Sequence, residues 1–151
     1  MAHFDKSAVG SEKWLMQLGT LSGNPVAAAA GLKTMEILRR PGQYDRLRDL
    51  GQSLMEMQSA ALSYHGIAPR LCGDPTLFDV YFTDADPVDY RSAKHRDPML
   101  NDVWNRSLRS QGIFKSPGKL YPSLALGPED LETTRRAFRN AAKAVADHLG
   151  M

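Results

Sequence analysis

Between residues 43 and 64, Leu47, Leu50, Leu54, Met57 and Ala61 recur at intervals of three and four. That spacing lays them along one stripe of a helix. Arg46, Arg48, Asp49, Gln52 and Glu56 take the wet side, and Gly66 closes the segment. A second stripe, Leu131, Thr134, Phe138, Ala141, Val145 and Leu149, predicts a helix from Pro128 to Gly150. Its first turn holds Pro128, Glu129 and Asp130, where a fixed φ and negative charge suit a helix start. Asp97-Pro98 opens a third helix, Met99 to Gln111, stopped by Gly112. Nearer the amino terminus, Asn24 is a good N-cap and Pro25 a good first residue for a helix running to about Arg40. Ala27 to Gly31 give that helix a face of small residues, and Pro41-Gly42 ends it.

The pattern changes to strand-like in between. Ala68 to Cys72 is short, and Leu77-Phe78-Asp79-Val80-Tyr81-Phe82 is rich in β-branched and aromatic residues. Ile113-Phe114 and Tyr121 to Leu126 read as two more short strands around a Ser116-Pro117-Gly118 turn. Short strands separated by helices predict an α+β fold: a small mixed or antiparallel sheet with helices on one face. Residues 1–40 read as an interface segment, and 41–151 as a small compact domain. The expected buried set is Leu50, Leu54, Val80, Phe82, Phe114, Leu131, Phe138 and Val145.

Composition narrows this little. Apolar residues make up 42% and charged residues 24%, and 19 basic against 17 acidic residues leave a charge of +2. So small an excess gives no argument for nucleic acid or an anionic membrane as partner. No apolar run approaches the roughly 20 residues of a membrane span. The first six residues carry no signal-peptide apolar region. A single cysteine, Cys72, excludes an intrachain disulfide and fits a reducing cytoplasm.

The segment with chemical content is Gly19-Thr20-Leu21-Ser22-Gly23-Asn24-Pro25-Val26-Ala27-Ala28-Ala29-Ala30-Gly31. It sets hydroxyls and loop amides just before a helix amino terminus, where unpaired amides and the helix dipole favour an anion. A plain helix cap by Asn24 accounts for the same residues. Other signals carry less. His95-Arg96-Asp97 lacks the asparagine and the glycine-rich loop of a kinase site, with Asp102 in the asparagine's place. The histidines at 3, 65, 95 and 148 are too scattered for zinc. Ser22 has no flanking glycine pair, and Arg135, Arg136 and Arg139 read as a solvated face beside Glu129, Asp130 and Glu132.

The Gly19–Pro25 loop resembles the glycine-threonine, serine-glycine-asparagine-proline signature of class III aminotransferases, which depend on pyridoxal phosphate. The chain is similar to glutamate-1-semialdehyde aminomutases in particular. The likeness continues through the helix from 43, the strand from Phe78 to Phe82, Gly112-Ile113-Phe114-Lys115-Ser116-Pro117, and the run from Leu120 to Thr134. The region resembled is the carboxy-terminal portion. The resemblance implies the small domain of fold-type I enzymes. It also implies a homodimer, with Gly19, Thr20, Leu21 and Ser22 at the phosphate of a cofactor held by the neighbouring subunit. Lys119 falls near an arginine that several relatives use for the substrate carboxylate. Gly127 stands about where the aminomutases carry a histidine.

In the family, the lysine that holds the cofactor and the carboxylate that pairs with its pyridine nitrogen precede the region resembled. None of Lys6, Lys13, Lys33, Lys94, Lys115, Lys119 and Lys143 stands in that context, and they read as surface residues. Two functions follow: part of an amino-group-transferring enzyme, inactive alone, acting on small amino donors and keto acids; or a stand-alone dimerising module derived from one.

Overall fold

The computed structural model describes residues 2–16, 19, 21–68 and 70–151. They fall into two compact units, Met1–Arg40 and Pro41–Met151. In the first, a turn of 3-10 helix at Ala2–Phe4 leads to the single-turn helix α1 (Lys6–Val9), which Asp5 caps. Trp14 donates its Nε1–H to the Phe4 carbonyl at 3.2 Å, and the Lys6 ammonium lies over its ring. Helix α2 spans Pro25–Leu38 and buries none of its residues.

The second unit holds the core. Helix α3 is Gln43–Tyr64, β1 is Arg70–Asp74, β2 is Leu77–Tyr81, and α4 is Tyr90–Ala93. Helices α5 (Pro98–Ser110) and α6 (Pro128–Leu149) complete it. β1 and β2 form an antiparallel pair in which Leu71 faces Val80 and Gly73 faces Phe78. α6 packs on both α3 and α5, and α3 also packs on β2. This is the α+β class expected, with strand residues Phe78 and Val80 and the following Phe82 buried in one core with α3, α5 and α6. Trp104 stacks on Phe138 at 5.7 Å and meets Phe82 edge-on at 6.2 Å.

The helix ends explain where the chain turns. α5 finishes with the Gly112 amide donating to the Arg109 carbonyl and the Ile113 amide to that of Leu108. This double closure needs a left-handed residue, and Gly112 sits at φ 81°. Gly66 and Ile67 close α3 in the same way.

Several expectations are corrected. Ile113-Phe114 and Tyr121 to Leu126 form no strand. The segment's backbone meets the sheet through a bridge from Leu120 to Phe78, beside the Ser116–Lys119 turn. Pro122 has no amide to give a ladder, and the chain turns again where Leu126 donates to the Ser123 carbonyl. Phe114 is 87% exposed instead of buried. The closure of α5 turns Ile113 onto the core, and in an extended stretch the next side chain points the other way. Leu50 and Leu131 are half-buried, and Leu149, on the last turn of α6, is 46% exposed.

Candidate functional site

Two places carry the candidate chemistry, one in each unit. In the first, Thr20 lies outside the described residues; Gly19, Leu21 and Ser22 are within them. The Ser22 amide donates to the Gly19 carbonyl, and that of Asn24 to Leu21, so the loop is two successive tight turns. Asn24 Oδ1 accepts from the Val26 and Ala27 amides at 2.9 and 3.1 Å. Ala28 donates to the Asn24 carbonyl, and Pro25 has no amide. The first amides of α2 are therefore taken, and the cap reading of Asn24 holds. The Val26, Ala27 and Ala28 amides are thus engaged by Asn24.

A Cβ on Gly19 would sit 2.6 Å from Ser22 Oγ. These residues offer no amine for covalent anchoring of the cofactor. Lys33 pairs with Glu36 and Lys143 with Asp147 on exposed helix faces. Lys6 and Lys94 lie over Trp14 and Tyr90.

Lys115 is the exception to the surface reading of the lysines. Its ammonium meets Asp79 Oδ2 at 2.5 Å, with side chains 6% and 0% exposed. It also donates to the Ser116 carbonyl at 3.3 Å, and Asp79 Oδ1 accepts from the Val80 amide at 3.0 Å. Burial pushes the Asp79 carboxyl above the usual range. Lys115, the Val80 amide and the field of Arg96 each pull it back. This pair was missed from sequence. The available signal was a lone carboxylate inside the apolar run Leu77 to Phe82.

The turn that follows Lys115 carries Lys119, which is exposed. Lys119 lines a cleft of about 540 Å³ with Phe114, Tyr121, Ser123 and Thr133. Among the described residues Lys119 makes no ion pair. Cys72 is half-buried, with its thiol 3.7 Å from the Pro87 carbonyl. Among the described residues no cluster of histidine, cysteine or carboxylate could hold a metal ion, and no helix is long and apolar enough to cross a membrane.

A glycine-bounded loop leading into a small-residue helix, followed by an α+β unit, is an arrangement shared with solved transaminases. An omega-transaminase from Sphaerobacter thermophilus superposes with a TM-score of 0.72 over 95% of this chain and 33% of its own, at 28% identity. A transaminase solved with pyridoxal phosphate bound gives 0.67, and its 24% identity supports the fold alone. By sequence, the glutamate-1-semialdehyde 2,1-aminomutase of Pelotomaculum thermopropionicum is 34% identical over 87% of this chain. That of Thermomicrobium roseum is 32% identical over 86%. No family model matches. The chain spans about a third of the length of these relatives, 31% in both aminomutases. The chain is similar to the carboxy-terminal portion of glutamate-1-semialdehyde 2,1-aminomutases and shares its fold with solved pyridoxal-phosphate transaminases.

Proposed function

We propose that this chain is the small-domain portion of an enzyme that transfers amino groups with pyridoxal phosphate. In this reading a lysine and a pyridine-nitrogen carboxylate carried outside these 151 residues complete the site. The observation that carries the reading is the pair of coverages: the match runs along 87% of this chain and 31% of the aminomutase. The bound cofactor supplies an electron sink for the carbon bearing the amino group. Gly19, Thr20, Leu21 and Ser22 contact its phosphate across a subunit boundary of a homodimer. Lys119 receives the carboxylate of a small amino donor, amino ketone or keto acid. By itself the chain turns over nothing in this reading, because the lysine that holds the cofactor and moves protons is assigned to residues outside it. Its setting is cytoplasmic.

A second reading, a stand-alone dimerising module, has one observation in its favour. α2 leaves Val26 76%, Leu32 74% and Met35 53% exposed, apolar surface that suits a partner.

A chimera tests the first reading. This chain replaces the matching third of the P. thermopropionicum aminomutase, and cofactor content is measured after gel filtration. Retention of pyridoxal phosphate by a dimeric chimera is expected. A folded, dimeric chimera that loses its cofactor while the parent keeps it would contradict the reading.

A further inference from the structure

The Lys115–Leu120 region is turn, not strand, yet it is fastened to β2 at three separate points. Leu120 and Phe78 exchange both backbone hydrogen bonds, at 2.6 and 3.2 Å. One residue further along β2, Asp79 holds Lys115 inside the protein. Two residues beyond that, Tyr81 lies under the Arg96 guanidinium at 5.4 Å. Arg96 in turn fills the space beside Gly118: a Cβ there would come within 2.5 Å of its Nη1. The turn closes on itself through the Lys119 amide, which donates to the Ser116 carbonyl at 3.1 Å.

A buried ion pair is an expensive way to hold a loop. Removing two charges from water costs about as much as their attraction returns, and a packed apolar pair is often as stable. What the pair gives in exchange is a fixed geometry. Asp79 uses one oxygen on Lys115 and the other on its neighbour's amide, while Lys115 spends a second N–H on Ser116. Both ends of the turn are thereby set relative to β2. Between them stands Lys119, an exposed cation on the wall of a cleft whose other lining is mostly aliphatic, aromatic and hydroxyl side chains, with Lys115 and one carboxylate, Asp130.

We propose that the Asp79–Lys115 pair and Arg96 are positioning residues: they hold the Ser116–Lys119 turn so that Lys119 presents its ammonium to the carboxylate of a ligand in that cleft. This rests on the reading of Lys119 as the carboxylate contact, and adds what holds it in place. Asp79 is not part of the cleft lining, and Lys115, which is, has its ammonium engaged by Asp79.

The test uses the 151-residue chain and glutarate, a five-carbon dicarboxylate, as the probe. Amide chemical shifts are followed through a titration, and amide exchange is measured without ligand. Saturable shifts confined to residues around Ser116–Tyr121 are expected, and Lys119→Met abolishes them. The paired variant Asp79→Leu/Lys115→Met replaces the ions by apolar side chains. It should weaken glutarate at least fivefold and speed exchange of the Lys119 amide at least tenfold, with protection in α3 and α6 unchanged. Lys115→Arg should keep most of the affinity. If the paired variant does not fold, Gly118→Ala takes its place, since it displaces Arg96 and leaves the core alone; the same losses are expected. Wild-type affinity in a folded paired variant, or in Gly118→Ala, overturns the positioning role while leaving Lys119 as the contact. So does a loss of protection shared equally by α3 and α6. Glutarate that does not bind the wild type, or that binds Lys119→Met equally well, removes the contact itself and the positioning role with it.

Discussion

At Thr20 the family signature and the physics meet on one hydroxyl. The first amides of α2 are committed to Asn24, and the proposed function asks the Thr20 hydroxyl to donate to a phosphate. A hydrogen bond to a charged group is worth about 1.5–3 kcal/mol. Thr20→Ala in an intact homologue should weaken cofactor retention by about that much, and Thr20→Ser should spare it, as measured by equilibrium dialysis. Asp74 offers a different residue-scale test. Thr76, through its amide and hydroxyl, and then Arg48 hold its carboxyl down from 3.8 to about 2. A carboxyl depressed on folding adds stability above its unfolded value and loses it as pH falls through the folded one. Denaturant midpoints should therefore show a downward slope between about pH 4 and 2 that is shallower in Asp74→Asn. Asp79 acts on the other side of 3.8. Its carboxyl is raised by burial, so its contribution fades as pH rises above that value.

Among the elements, the long helices and the strand from Leu77 were legible, the strand before it was shifted by two residues, and the two strands expected between 113 and 126 were not there. α3 runs from Gln43 to Tyr64 as its stripe required. α6 starts at Pro128 because proline and two acids mark its first turn. Over 22 residues a repeated stripe outweighs any single exception. Between 113 and 126 there was no repeat to read. The helix closure at Gly112 set the parity, turning Ile113 in, Phe114 out and Lys115 in. β-propensity alone cannot report such a choice. In the same way the Gly19–Pro25 loop was visible as a motif, whereas the assignment of its helix amides to Asn24 needed coordinates. The α5–α6 contact yields a plain stability test. Phe138 is fully buried against Trp104, and Phe138→Ala should cost about 3–5 kcal/mol in urea unfolding. A cost under about 1 kcal/mol would place the ring outside a packed core. For α2, the exposed Val26, Leu32 and Met35 favour a two-fold pair of chains. Sedimentation equilibrium at high micromolar concentration should show dimers, and Leu32→Glu should shift the chain toward monomer. A clean wild-type monomer would count against both the interface and the module reading.

As a whole molecule, the chain pairs a well-packed α+β unit with a loop and helix that bury little of their own surface. That contrast suits a domain whose partners lie elsewhere, and it divides the chemistry. The proposed function assigns the phosphate contact and the carboxylate cation to this chain and the cofactor-holding lysine to residues outside it. Lys115, the one buried lysine among the described residues, is spent on Asp79. The most direct measurement is a titration of the purified chain with pyridoxal phosphate, read by absorbance, then borohydride reduction and mass spectrometry of the peptides. The account expects slow, non-saturating labelling spread over exposed lysines, with no stoichiometric band. Saturable capture of one equivalent at a single lysine would contradict it, because the anchoring residue would then lie within this chain.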